Sequence, residues 1–452
     1  MLTDRRGLLA RTAALTAAAM AITSIANAAS TPTAPTGEID LSGLDSTGES
    51  DQTAALQLAI ERSAASGCIL RLPAGNYHCK TLGLPGGARI VGVPGATRLL
   101  FQGNNAFIVA SHADNIWLEG LVIDGNTRPL DAVATDGLLT FSDCAGLTLR
   151  NIAVSGALLN GVSMRRCSGT VENCTITACE ASALFSLDAE GLAITGNAIS
   201  DMGNNGIQVW RTVAGEDGTL VANNRISQIA ARAGGDGPNG NGINIFRSGS
   251  VQVLGNRITD CAFSAIRANA ASNCQIIGNS AERMGEVALY AEFAFEGAVI
   301  ANNLVDRASV GISVTNFNEG GRLAVVQGNL IRNLHRQSAS GEDQGIGISV
   351  EADASVTGNV VEGAAQIGIQ AGWGEYRRDI VLSGNVVRQS PIGIAVSSDA
   401  KGGAVLVAQN LISGATGGSI RQMDHATVLD PDLAREPAGA HAGITLSGNV
   451  SV

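Results

Sequence analysis

The stretch LAITGNAISDMGNNGIQVW, from Leu192 to Trp210, combines a Gly-Asn pair with a later Gly-Ile pair. Versions of this arrangement return in VQVLGNRITDCAFSAIRAN (251–269), SVTGNVVEGAAQIGIQAGW (355–373) and IVLSGNVVRQSPIGIAVSS (380–398), the first with Ala265-Ile266 in place of Gly-Ile. Short apolar runs with alternation flank each pair, and turn-forming residues separate them. The recurrence indicates one structural unit that the chain uses many times.

The repeated asparagines extend the pattern over most of the chain. They stand at Asn151, Asn173, Asn197, Asn224, Asn256, Asn279, Asn303, Asn329, Asn359, Asn385 and Asn410. This spacing is typical of a stacked solenoid, and the apolar runs are too short for helices. A leucine-rich-repeat horseshoe has a similar period, but it requires leucines at fixed positions that these units lack. We therefore predict an all-β fold, a right-handed single-stranded parallel β-helix.

Composition and charge set limits on the partners. The chain has 452 residues, 57 of them Gly, and 45% of its residues are hydrophobic, which fits one extended globular architecture. Its net charge is −11, and Lys80 and Lys401 are its only lysines. Nucleic acid is therefore not expected as a partner, because it requires a basic surface.

The N-terminus is read as a targeting segment. It contains the pair Arg5-Arg6, an Ala-rich apolar stretch and the A-x-A sequence Ala26–Ala28. This segment resembles a twin-arginine export signal. The resemblance implies cleavage after Ala28, passage through the twin-arginine export machinery, and a periplasmic or secreted protein. The expected organisation is a signal peptide at 1–28, a linker at 29–40, an N-terminal cap with the first coils at 41–100, and β-helix repeats at 101–452.

The cap is expected to contain a short amphipathic helix. Ala55, Leu56, Ala59 and Ile60 have helical spacing, and Thr53 is expected to cap the helix. The stretch resembles the N-terminal cap of pectate-lyase-like β-helix proteins. The matching residues are Asp51, Ala54 to Gln57, Ala59, Ile60, Leu72 to Gly75 and Tyr77. Signal and repeats together resemble the twin-arginine-translocated β-helix repeat family, which implies the fold and export but no particular reaction.

The repeated Asn is interpreted as part of the scaffold, because a structural residue recurs in every coil and a catalytic one does not. Function is expected where the coils differ, at the outward positions of the G-I-x-V strands. Four of these residues are candidate catalytic residues: Asn244, Arg267, Tyr290 and Glu292. Seven more in or beside the strands are candidate substrate-binding residues: Gln208, Trp210, Arg211, Phe246, Arg247, Asn269 and Glu351.

These residue types suit an extended saccharide, since aromatic rings stack on sugars, amides bind hydroxyls and guanidinium groups bind carboxylates. We predict an exported protein that acts on an acidic polysaccharide as a lyase or epimerase. Arg267, with Asn244 or Asn269, would neutralise the substrate carboxylate. Tyr290 would transfer the proton, provided that the nearby arginine lowers its pKa.

Two alternatives remain open. A glycoside hydrolase would use Glu292 and Glu351, which stand two coils apart at roughly 4.8 Å per coil, a spacing that suits an inverting enzyme. A cell-envelope protein that binds glycan without catalysis would need only Trp210, Phe246 and the arginines. The signatures of polygalacturonases, alginate epimerases and calcium-dependent pectate lyases are absent from the sequence.

No cofactor and no metal are expected, because no dinucleotide fingerprint, haem motif or Cys/His cluster is present. The eight cysteines are interpreted as small buried residues. Two long polar insertions, Ala231 to Asn241 and His335 to Gln344, are expected to leave the solenoid at the same corner and to flank one edge of the candidate face.

Overall fold

The computed structural model of the protein describes residues 39, 41, 43–103, 105–235, 237–436 and 443–452. The predicted signal peptide (1–28) lies outside the described residues, as does the predicted linker (29–40) except for Ile39. Thr36–Val452 forms one compact unit. This unit includes the predicted cap at 41–100 and the predicted repeats at 101–452.

Three sheets of stacked strands form the solenoid, and each coil contributes one strand to each sheet in turn. Sheet 1 contains the strands Thr47–Asp51, Gly75–Cys79, Thr97–Phe101, Val122–Asp124, Ala153–Ser155, Thr175–Cys179, Ala198–Met202, Arg225–Ile229, Arg257–Cys261, Ser280–Met284, Leu304–Asp306, Leu330–Arg332, Val360–Glu362, Val386–Arg388, Leu411–Ser413 and Val450–Ser451. Sheet 2 contains Leu82–Gly83, Ile108–Ser111, Gly137–Ser142, Asn160–Arg165, Ser182–Leu187, Asn205–Glu216, Asn241–Gly249, Ile266–Asn269, Val287–Glu292, Val310–Val314, Ile346–Val350, Ile367–Ala371, Ile392–Ser397, Gly418–Asp424 and Thr427–Asp432. Sheet 3 contains Leu70–Arg71, Arg89–Val91, Trp117–Glu119, Leu147–Arg150, Gly169–Glu172, Ala193–Thr195, Leu220–Ala222, Gln252–Leu254, Cys274–Ile277, Glu296–Ala301, Arg322–Gln327, Ala352–Thr357, Arg378–Ser383, Val405–Ala408 and Ile444–Ser447.

The strands pair in parallel from coil to coil, and parallel crossovers of this kind are right-handed. An exception at the C-terminal end is the hairpin of Gly418–Asp424 and Thr427–Asp432, which is antiparallel. The predicted right-handed parallel β-helix is confirmed. Two 3₁₀ turns, Phe317–Glu319 and Leu433–Arg435, interrupt the connections.

The predicted N-terminal helix is present as Thr53–Ser66. Leu56, Ala59 and Ile60 form its buried face, and they pack on the core of the first coils. The expectation that Thr53 caps the helix is wrong, because Thr53 is the first helical residue. Its backbone N–H donates to the Asp51 carboxylate at 2.9 Å, so the preceding acidic side chain satisfies the helix end.

Aliphatic rows fill the interior. In sheet 2 the isoleucine of each G-I pair lies beside its equivalent in the next coil, as in Ile207, Ile243 and Ile266, and all three are fully buried. The alternation of the strands turns the residues between them outward. The same pattern that builds the core therefore aligns the candidate functional side chains in rows.

A ladder of buried asparagines runs along the turn between sheet 3 and sheet 1. The side-chain oxygen of Asn224, for example, accepts from both the backbone N–H and the amide of Asn197, each at 2.9 Å. The Asn224 amide donates to the Ile194 carbonyl and to the next ladder residue, Asn256. This pattern continues through Asn256, Asn279, Asn303, Asn329, Asn359, Asn385, Asn410 and Asn449.

Two of the predicted repeat asparagines are not part of this ladder. Asn151 and Asn173 are exposed and have the left-handed φ of 50° and 55° that the glycine has in other coils. The residues at the ladder position there are Ile152 and Cys174, both buried. The ladder therefore begins at Asn197, and it extends to Asn449, which the sequence analysis did not include.

All eight cysteines lie within the described residues, where each is buried and none is in a disulfide. The interpretation of these residues as small core side chains agrees with that burial. Among the described residues, no helix has both the length and the apolar character needed to cross a membrane.

Candidate functional site

The outward face of sheet 2 gathers the residues that the sequence analysis singled out. Cross-strand pairing aligns one row from Gln208 through Asn244 and Arg267 to Tyr290. A parallel row, two residues further along each strand, contains Trp210, Phe246, Asn269 and Glu292. Both rows alternate with buried aliphatic residues of the same strands, such as Ile207, Val209 and Ile243.

Three aromatic rings form the first part of this face, which we call the aromatic shelf: Phe185, Trp210 and Phe246. The ring of Trp210 lies 5.7 Å, centroid to centroid, from each of the other two, in edge-to-face contacts. Its indole N–H donates to the Asn244 side-chain oxygen at 2.8 Å, which fixes the ring plane. All three rings remain partly exposed. The shelf is thus a preorganised apolar surface that is open to solvent.

Guanidinium groups surround the shelf. Arg165 lies over Phe185 and pairs with Asp136 at 2.5 Å. Arg247 lies over Phe246, with 4.6 Å between its guanidinium carbon and the ring centroid, and it donates to the Thr212 carbonyl. Arg211 follows Trp210 in the strand Asn205–Glu216, and its Nη1 donates to the Ala189 carbonyl at 3.2 Å.

The next two coils hold a buried charged group, which we call the ion cluster: Arg267, Glu286 and Glu292. Arg267 Nε and Nη2 donate to the two carboxylate oxygens of Glu292 at 2.6 and 2.9 Å. Arg267 Nη1 also lies 3.5 Å from Glu286 Oε2. The three side chains are 9%, 8% and 1% exposed for Arg267, Glu286 and Glu292 respectively. Such a desolvated bidentate pair is held firmly, because either partner alone would be a buried charge.

Asn269 and Tyr290 complete the surroundings of the ion cluster. The Asn269 amide donates to Glu292 Oε1 at 2.8 Å, and the guanidinium carbon of Arg267 lies 5.0 Å from the Tyr290 ring centroid. The structure therefore brings together the predicted residues Arg267, Asn269, Tyr290 and Glu292.

The expected activation of Tyr290 is wrong. Burial and then the charge of Glu292 raise the pKa of Tyr290, and the opposing effects of Thr315 and Arg267 are smaller. A tyrosine base needs a lowered pKa, so these surroundings oppose its ionisation. The side chain that the sequence analysis invoked to lower the pKa, Arg267, is already engaged by two carboxylates.

Glu351 lies further along the same face, at the end of the strand Ile346–Val350. Strand pairing places it two coils beyond Glu292, with Val310–Val314 between them. Its carboxylate accepts from the Phe317 backbone N–H at 2.7 Å, and burial raises its pKa. Glu292 and Glu351 thus have different surroundings, one ion-paired and the other without a salt bridge among the described residues.

The two insertions leave the solenoid at the same corner, between sheets 1 and 2, as expected. In the first insertion, the Gly237 carbonyl accepts from the Asn244 amide at 3.0 Å and the Pro238 carbonyl accepts from the Asn205 amide at 2.8 Å. In the second, the Ala339 N–H donates to the Gly285 carbonyl at 2.7 Å. Both insertions therefore form a wall along one edge of the face, one beside the aromatic shelf and the other beside the ion cluster.

Phe185 and Glu286 were missed by the sequence analysis. Phe185 stands in SALFSL, which lacks the Gly-Ile pair, although its distance from Gln208 matches the repeat period. Glu286 precedes its strand in the corner connection, where alternation gives no orientation. The period alone would have revealed Phe185, but no sequence signal identifies Glu286.

Among the residues that the structure describes, no group of three or more His, Cys, Asp and Glu side chains could hold a metal ion. The expectation that the protein uses neither metal nor cofactor stays a prediction.

Comparison with known proteins bears on the fold. The family model described as the right handed beta helix region matches the chain in three overlapping segments, 98–226, 160–331 and 212–387. These segments together cover more than half of the chain. Among curated proteins, none matches this sequence.

Several solved structures are similar. The N-terminal fragment of gene product 12 of bacteriophage phi29 has 13% identity and a TM-score of 0.54, over 91% of this chain and 69% of that chain. The pre-mature form of the same phage protein has 14% identity and a TM-score of 0.52, over 91% of this chain and 56% of that chain. The catalytic unit of a GH87 α-1,3-glucanase from Streptomyces thermodiastaticus has 16% identity and a TM-score of 0.45, over 92% and 70%. At these identities the likeness to the two phage structures shows the fold alone.

Proposed function

The chain belongs to the right-handed β-helix family, and from that premise we propose that it binds an extended glycan along the outward face of sheet 2. The observation that carries the proposal is the aromatic shelf. Trp210 and Phe246 present partly exposed faces in a fixed arrangement, and the hydrogen bond from Trp210 to Asn244 holds the indole in place. Sugar rings carry apolar C–H faces that pack on such surfaces.

Polar groups along the same rows supply partners for sugar hydroxyls. Gln208 and Asn269 lie on the strands of the shelf and the ion cluster, and Ser313, Ser349 and Gln370 continue the first row beyond Tyr290. These groups both donate and accept hydrogen bonds, as hydroxyls require. Asn269 and Ser349 are partly exposed, whereas Gln208, Ser313 and Gln370 are buried, so the face offers a platform at one end and a few accessible hydroxyl partners beyond it.

A second candidate function is glycoside hydrolysis, and the surroundings of Glu351 favour it. Burial raises the pKa of this carboxyl, and a raised pKa favours the protonated form that a general acid needs. A hydrolase of this kind needs a second carboxylate as base or nucleophile. Glu292 would have to give up its ion pair with Arg267 to act as that base or nucleophile. We therefore rank hydrolysis second to binding without catalysis.

The β-elimination or epimerisation of an acidic polysaccharide stays a prediction from the sequence. It would need Arg267 to exchange Glu292 and Glu286 for a substrate carboxylate, and Tyr290 to ionise against a raised pKa. The geometry supports this reaction less well than binding.

Export belongs to the proposal as well. We propose that the twin-arginine signal at 1–28 directs the folded protein to the periplasm or the medium, where a glycan partner would be met. Replacing Arg5 and Arg6 with Lys should retain the protein in the cytoplasm, as fractionation would show. Export of the double variant at the normal rate would contradict the proposal.

The binding experiment uses Trp210→Ala and affinity electrophoresis of the mature protein in gels that contain neutral or uronate polysaccharides. We expect retardation by at least one polysaccharide and at least tenfold weaker binding by the variant, since a central aromatic contact is worth over ~1.4 kcal/mol. Trp117→Ala is the matched control, because Trp117 lies on sheet 3, between Arg89 and Arg150. Equal retardation of both variants would remove the shelf from the proposal.

The same panel separates binding from catalysis. Release of reducing ends that stops in Glu351→Gln would establish hydrolysis, and new absorbance from unsaturated ends would establish β-elimination. Retardation without any product would leave binding alone.

A further inference from the structure

The net charge of the ion cluster bears on which sugars can bind at the centre of the face. Its one guanidinium, Arg267, is bonded in bidentate fashion to Glu292 and also lies 3.5 Å from a Glu286 oxygen. One positive and two negative groups leave a net negative charge in a nearly desolvated setting. Electrostatic repulsion is strong there, because little water screens it.

The neighbouring outward positions do not offset this charge. Between Arg267 and Glu351, the outward residues Asn269, Tyr290 and Ser313 are uncharged at neutral pH. Glu351 adds another carboxylate two coils further on. A sugar carboxylate at the ion cluster would therefore meet carboxylates on both sides, and the guanidinium between them is already bonded.

The positive groups of the face lie elsewhere. Arg247 covers Phe246 and Arg211 reaches toward Ala189, so both border the aromatic shelf, on the strands Asn241–Gly249 and Asn205–Glu216. Arg267, by contrast, bonds Glu292 across adjacent strands. An anionic sugar could thus bind only at the aromatic shelf.

We propose that the centre of the sheet 2 face selects an uncharged sugar unit, so that the ligand is a neutral glycan and a continuous uronate chain is excluded. This inference rests on the proposed glycan binding and gives it a substrate class. It also reverses the expectation of an acidic polysaccharide. That expectation assigned Arg267 to neutralise a substrate carboxylate. The reversal follows from Glu286, whose place beside Arg267 the sequence did not reveal.

The test compares a neutral gluco-oligosaccharide series with an oligogalacturonate series of matched chain length, by calorimetry on the mature protein. We expect the wild-type protein to bind the neutral series at least tenfold more tightly. In Glu286→Gln the cluster becomes neutral while the side-chain shape is kept, and the ratio of uronate to neutral affinity should rise about tenfold. The preference of the wild-type protein for the neutral series tests the inference even if the variant does not fold.

Glu282→Gln is the matched control. It removes one negative charge from sheet 1, where Glu282 pairs with Arg283 and Arg307, and it should leave the ratio unchanged. Tighter binding of the uronate series by the wild-type protein would overturn the inference while the proposed glycan binding stands. A ratio that Glu286→Gln leaves unchanged would also overturn it. Binding of neither series by the folded protein would instead defeat the proposed function, and the inference with it.

Discussion

Two adjacent residues of the Gly-Asn turn have different roles. The first has a left-handed backbone, as Gly196 does at φ 67°, and Asn223 and Asn302 also adopt this conformation at φ 57° and 56°. The second is the buried ladder asparagine, whose amide satisfies backbone groups of the coils on either side. Asparagine can occupy both positions, for separate physical reasons: it tolerates the left-handed region, and its side chain can mimic a backbone amide.

The ladder position should carry most of the stability of this turn. In Asn303→Ala, the Asn279 backbone N–H and amide lose their acceptor, and the Ile276 carbonyl loses its donor. Several buried polar groups without partners should cost roughly 3–5 kcal/mol in the free energy of unfolding, measured by urea titration.

The adjacent residue supplies the control. Asn302→Gly keeps the left-handed turn and should change the free energy of unfolding by less than about 1 kcal/mol. Similar losses in the two variants would contradict the division of roles.

Glu351 should make stability depend on pH. Burial raises the pKa of this carboxyl in the folded protein. A carboxyl of this kind stabilises the fold below its unfolded pKa, and that contribution is lost as the pH rises through the folded pKa. Glu351→Gln keeps an acceptor for the Phe317 N–H but cannot ionise, so its stability relative to wild type should increase as the pH rises above about 4.

Thermal unfolding at several pH values measures the effect. Glu362→Gln is the control, since Glu362 lies on sheet 1 with its side chain 43% exposed and paired with Arg388. A stability difference between Glu351→Gln and wild type that falls or stays flat with rising pH would contradict the expectation.

At the scale of the strands, the sequence predicted well which side chains point outward, but it predicted their ion-pair partners poorly. Alternation in Ile207–Trp210 follows from extended geometry, so the outward row could be assigned residue by residue. The partners of Arg267 could not be assigned in this way. Glu292 lies on the next strand, and Glu286 lies in a corner whose conformation is set by the whole coil. The pattern of charged residues therefore indicated where a site lies, but it did not give the net charge of that site.

The first insertion should act on binding through Asn244. The Gly237 carbonyl accepts from the Asn244 amide, and Asn244 in turn orients Trp210. Replacing residues 230–240 with Ala-Phe, the residues that make the same connection one coil further on (Ala262 and Phe263), should lower glycan affinity several-fold. The melting temperature should fall modestly, because the buried Asn205 and Asn241 amides lose carbonyl acceptors in the insertion while the asparagine ladder and the core are untouched.

Shortening the second insertion is the matched control. Replacing residues 333–345 with the connection of the next coil, residues 363–366, should leave the shelf contacts intact and reduce affinity less. Unchanged affinity after removal of the first insertion would show that the wall does not support the shelf.

At the scale of the whole molecule, the solenoid separates scaffold from site. Coils contact mainly their neighbours, so the ladder and the aliphatic rows hold the stack while the outward faces vary. Sheet 3 also offers an open depression of about 600 Å³, lined in part by Val299, Val325 and Val381. The depression lacks aromatic side chains and bears mainly aliphatic groups at its floor. The sheet 2 face is therefore the better candidate for a sugar ligand.

The most direct measurement is a crystal structure of the mature protein with the oligosaccharide that it binds most tightly. We expect the sugar rings to lie along sheet 2, with one ring packed on Trp210 or Phe246. The oligosaccharide should cross the strands Asn241–Gly249 and Ile266–Asn269. A ligand bound in the depression of sheet 3, or on any other face with the aromatic shelf left bare, would contradict this expectation.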